Sequence, residues 1–94
     1  LSARLRGDHA AALARFEAAA AADPDNPGLR AELAATLRDA GRSADAEAAW
    51  QDALRLRPGF VPALVGLGLA ARRRGDRAAA LAHFEAAAAA APGT

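Results

Sequence analysis

Ninety-four residues with 12 Lys+Arg against 11 Asp+Glu, a formal net charge of +1, suit one small domain and set up no global field for nucleic acid or a membrane surface. The chain has no cysteine, which excludes a disulfide framework and a thiolate metal site and leaves the compartment open, with the cytoplasm as the default. No apolar stretch reaches the ~18 residues that a membrane span needs, and the first residues do not have a signal-peptide layout.

About a third of the residues are alanine, the strongest helix former, and β-branched residues are scarce, so the chain reads as all-helical. Residues 1–6 predict a short stub ending at Gly7, followed by a full helix over 9–22 that Pro24 stops. Asn26 and Pro27 then start a helix over 27–40, with Leu29, Leu33 and Leu37 on one side. Gly41 supplies the left-handed residue that ends it, and Ser43 or Asp45 opens the next helix, over 44–56, before Pro58. Pro62 marks a helix over 61–74, Gly75 ends it, and Asp76 caps the last, over 77–90. Turns this short bring successive helices back antiparallel.

Catalysis finds little support. His9 and His83 lie on separate helices and read as packing residues rather than a metal pair or general bases. Gly66 and Gly68 sit within a helix, without the strand that a phosphate-cradling loop requires. Ser2, Thr36, Ser43 and Thr94 have no base beside them, and Asp23 and Asp25 flank a helix stop. The run Arg72-Arg73-Arg74 falls in a final helical turn, where the helix dipole favours cations. The chain reads as a non-enzyme needing no cofactor or metal.

The pattern beneath these elements has a period of 34 residues. Gly7, Gly41 and Gly75 are each followed by Ala at five, an aromatic at nine (Phe16, Trp50, Phe84), Ala at twelve and Pro at seventeen. The first and third copies, 7–26 and 75–94, agree at 15 of 20 positions. Compositional bias repeats alanines but does not hold glycine, aromatic and proline in phase. A fixed period of this length marks a solenoid whose units stack in a line. Small Ala12, Ala46 and Ala80 allow paired helices to approach, with Gly68 doing the same on the opposite helix. The aromatics fill the gaps between pairs, with Trp50 buried beside Leu33, Leu37, Leu54, Leu64 and Leu67, Phe16 placed similarly, and Phe84 partly exposed.

This pattern resembles the tetratricopeptide repeat family over nearly the whole chain. The family's tryptophan-like and tyrosine-like positions are here Arg30 and Leu37, then Leu64 and Ala71, so lighter packing is expected there. The resemblance implies a right-handed α-solenoid of antiparallel helix pairs, whose concave groove binds a protein or peptide segment. The division is a partial repeat 1–26 and repeats 27–60 and 61–94 within one repeat domain. With no methionine and a start six residues before Gly7, the chain reads as a segment of a longer protein.

Helical geometry then locates the implied groove. Opposite the Leu33–Leu37 side lie Gly28, Ala31, Ala35, Arg38 and Asp39. The corresponding stripe of the third copy is Pro62, Val65, Leu69, Arg72 and Arg73, and the stub adds Leu1, Arg4 and Leu5. Arg4, Arg38 and Arg72 stand three residues before each repeat glycine, so equal register predicts a ladder of guanidiniums along the groove edge, suited to an acidic partner. The family's chaperone-tail clamps use Lys, Arg and Asn on these helices. Ala31, Glu32, Ala35, Val65 and Gly66 supply neither Lys nor Asn, which argues against that variant. Two other readings are end-to-end self-association and an accessory repeat region of a multidomain bacterial enzyme, such as a glycosyl- or sulfotransferase.

Overall fold

The computed structural model describes the backbone of residues 2–91 and the side chains of residues 8–91. Five α-helices follow one another: α1 (Ser2–Ala22), α2 (Pro27–Asp39), α3 (Ser43–Leu56), α4 (Val61–Arg74) and α5 (Arg77–Ala90). From Pro27 onward each helix lies within one residue of its expected bounds, and there is no strand among the described residues.

The turns show why. Asn26 Oδ1 accepts hydrogen bonds from the N–H groups of Gly28 (2.9 Å) and Leu29 (3.4 Å), while Pro27 begins the helix without needing a donor partner. After α2 and α4 the chain turns through Gly41 and Gly75, both at φ 83°. There the N–H of Arg42 donates to the Leu37 carbonyl and that of Asp76 to the Ala71 carbonyl, each at 2.9 Å, satisfying carbonyls that the helix leaves open. Asp76 caps α5 through the N–H of Ala79. Ser43 starts α3 but does not cap it; Arg42 holds that position without a side-chain cap and instead pairs with Asp45 at 2.9 Å.

The expected stub does not exist as a separate element. The sequence predicts two helices, over 1–6 and 9–22, whereas α1 runs unbroken through Gly7. Continuing a helix through one glycine costs only about 1 kcal/mol of propensity. Among the described residues no earlier helix folds back on Ala12, which is half-buried, while Ala46 and Ala80 are buried at 0% and 4% exposure.

Each helix packs on its chain neighbours, most closely within α2–α3 and α4–α5, and α2 also touches α4. This nearest-neighbour arrangement is how repeat units stack. The core centres on Trp50 with Ala34, Leu37, Ala46, Ala53 and Leu67, and Leu33 and Leu54 pack against it half-buried. Leu64 is buried but lies outside this cluster. Gly66 explains how a tryptophan fits between helices, because a Cβ there would stand 2.2 Å from the indole Cε2. Gly68 does the same for Phe84, whose ring would meet an added Cβ at 2.7 Å. Phe84 is half-buried, as expected of it, but so is Phe16, which the period predicts to match Trp50. The residue 34 before Gly66 is Glu32, so α2 offers Phe16 no equivalent seat.

Candidate partner-binding groove

Ala31, Ala35 and Arg38 fall on one stripe of α2, and Val65 and Leu69 on one stripe of α4. The packing of α3 between these helices brings the two stripes together. They line a shallow concavity of about 170 Å³, with Glu32, Pro62 and Gly66 at its edges and Trp50 in its wall. Ala31 is buried in the floor, Ala35 and Leu69 are half-buried, and Val65 is 36% exposed. The floor is thus small and apolar, and open to solvent.

Arg38 forms the boundary of this concavity. Its guanidinium lies over the Trp50 ring, 5.8 Å from the centroid, and pairs with Asp39 at 3.1 Å. Asp39 is exposed and is not among the residues that line this concavity. Beyond the Arg38–Trp50 stack opens a second concavity of about 240 Å³, bordered by Ser43, Ala46 and Glu47 of α3 and by Ala70, Arg73 and Arg74 of α4. Arg74 bridges the two helices through an ion pair with Glu47. Arg73 makes no ion pair among the described residues.

Arg38 and Arg72 do not line the same concavity. Arg38 and Arg72 hold equivalent places beside their own repeat's aromatic, but Arg72 lines a different concavity, with Leu81 and Phe84 on the outer side of α4 and α5. The reason is that equal register fixes a position within a helix pair, whereas a shared cavity also needs the following helix. Arg4 lies within α1 rather than at the end of a separate helix, and its side chain falls outside the described residues. The site's other contributors, Trp50, Ser43, Glu47 and Arg74, come from the α3 side and the last turn of α4. Helical spacing on α2 and α4 gives no signal for the α3 residues, because they join the site only through tertiary packing.

Among the described residues no group of three or more His, Cys, Asp or Glu side chains is placed to hold a metal, and no helix is long and apolar enough to cross a membrane. The two concavities combine apolar lining with the guanidiniums of Arg38, Arg73 and Arg74 and the carboxylates of Glu32 and Glu47.

Comparison with known proteins agrees with this geometry. Cellulose synthase operon protein C from Komagataeibacter xylinus is 41% identical over 71 residues, covering 76% of this chain but 5% of that relative. The chain thus spans a small fraction of the length of the curated relative it matches. The family model described as tetratricopeptide repeat matches residues 3–67, helices α1 to α3 and the first half of α4. With helix pairs stacked in chain order and a period of 34 residues, the chain belongs to the tetratricopeptide repeat family, a helical interaction scaffold rather than a catalyst.

Proposed function

We propose that the chain binds a protein or peptide segment in the concavity between α2 and α4. In this reading residues 27–60 and 61–94 are two repeats of a right-handed solenoid, 1–26 belong to a preceding repeat, and the α2–α4 concavity is part of its inner surface. One observation carries the proposal: Ala31, Ala35, Arg38, Val65 and Leu69, from two helices about thirty residues apart in sequence, line one open, apolar-floored groove with an arginine at its edge. A partner with a small apolar residue for the floor and a carboxylate near Arg38 and Arg73 fits it.

The test is capture of the natural partner by the wild-type chain and by Val65→Glu. Val65 is exposed, so the substitution leaves the helical circular dichroism intact while placing a charge on the floor. Loss of capture with an unchanged spectrum supports the groove; equal capture refutes it.

A second reading places the segment as an accessory repeat region of a much longer protein. The 5% coverage of the relative favours it, since that protein is many times this length. The relative's name makes a component of a cellulose synthase operon the first class of partner to test. Capture of such a component by the isolated chain, lost in Val65→Glu, would join the two readings; no capture of any such component would separate them.

A further inference from the structure

The α2–α4 concavity and the one bordered by Glu47 and Arg74 share Arg38 and Trp50, so the two form one track with the Arg38–Trp50 stack as its saddle. Five charged side chains line this track. Arg38 pairs with Asp39, and Arg74 with Glu47. The remaining two, Glu32 and Arg73, are of opposite sign, and neither makes an ion pair among the described residues.

These two charges stand at opposite ends of the track. Glu32 is in the first half of α2 and Arg73 in the last turn of α4. Helices α2 and α4 each run antiparallel to α3 between them, so they point the same way. On the 34-residue period Arg73 holds the place of Asp39, seven residues beyond Glu32. That is about 10 Å along the common helix direction, to which the gap between the helices adds. Between the ends the lining is apolar, with Ala31, Ala35, Val65 and Leu69 on one side of the saddle and Ala46 and Ala70 on the other. Concavities of about 170 and 240 Å³ have room for a few small side chains. A helix, about 10–12 Å across, would rest on their rims, whereas an extended segment can lie along the track at about 3.3 Å per residue.

We infer that the partner is an extended segment bearing both signs of charge. It places a cation against Glu32 and a carboxylate against Arg73, about three to five residues apart, with small apolar residues between. This rests on the groove being the binding surface, and adds to it the second charge, the spacing and the extended form. A segment that is acidic throughout satisfies Arg73 but is repelled at Glu32, and a basic one meets the reverse.

Selection from a random peptide library displayed on phage tests the inference. The wild-type chain should enrich peptides with Lys or Arg and Asp or Glu at that spacing, and Val65→Glu should lose them. A synthetic peptide of the enriched sequence should bind Glu32→Lys about ten-fold more weakly, at unchanged circular dichroism. Exchanging that peptide's cation for Glu should recover most of the loss, and raised salt should weaken both pairs. Peptides that depend on Val65 but lack the cation, or that bind Glu32→Lys as tightly as wild type, overturn the inference and leave the groove standing. Selection that enriches nothing, or that Val65→Glu leaves unchanged, overturns the groove and the inference with it.

Discussion

Phe16, Trp50 and Phe84 occupy one position of the 34-residue period, yet their surroundings differ. Trp50 is 3% exposed, held between α2–α3 on one side and the Gly66 surface of α4 on the other. Phe84 has its seat at Gly68 within its own helix pair but no helix over its second face among the described residues. Phe16 meets an α2 whose corresponding residue is Glu32. The period assigns the aromatic; the neighbouring helix decides how deeply it is buried. The α2–α4 concavity likewise lies where a second helix pair packs on the first.

The strongest way to break this comparison is to remove the central ring. Trp50→Ala should cost about 3–5 kcal/mol, a large share of the stability of so small a domain, and should show as a loss of cooperative thermal unfolding by circular dichroism. Phe84→Ala should cost roughly half as much, since one face of that ring is already open. If the two truncations cost the same, the inner junction is not the better-packed one.

Adding a methyl group sharpens the contrast. Gly66→Ala forces a Cβ into an indole enclosed on both sides, an overpacking penalty of about 1–3 kcal/mol that outweighs the ~1 kcal/mol gained in helix propensity. Gly68→Ala meets the edge of Phe84, which has room to turn toward solvent, so denaturant midpoints should show it close to neutral. At the other junction Glu32→Ala should stabilise by up to about 0.5 kcal/mol, from propensity and a better seat for Phe16. Arg38→Met keeps the aliphatic stem but removes the charge over Trp50 at a half-exposed site. It should cost about 0.5–1 kcal/mol.

Much of this architecture was legible from residue types alone. Asn26, Pro27, Gly41, Gly75 and Asp76 each solve a local hydrogen-bonding problem at a helix end, and such solutions do not depend on tertiary context. Gly7 holds the same place in the period, yet α1 passes through it. Ala31 and Ala35, which helical spacing puts on one stripe of α2, line one concavity with Val65 and Leu69 of α4. Arg38 lines the same concavity, but the three arginines end on different surfaces. Arg38 turns onto Trp50, Arg73 faces α3, and Arg72 borders the outer wall. Long side chains settle on whatever surface the next helix presents, and a period carries no information about that surface.

Trp50 is the chain's one tryptophan, so its fluorescence reports directly on the α3–α4 junction that builds the groove. Emission and acrylamide quenching of the native chain should be those of a shielded indole, and Gly66→Ala should shift both toward solvent while helical circular dichroism is kept. A native emission like that of fully hydrated indole, unchanged by Gly66→Ala, would contradict the seating of Trp50 on Gly66 and with it the register that brings α2 and α4 together.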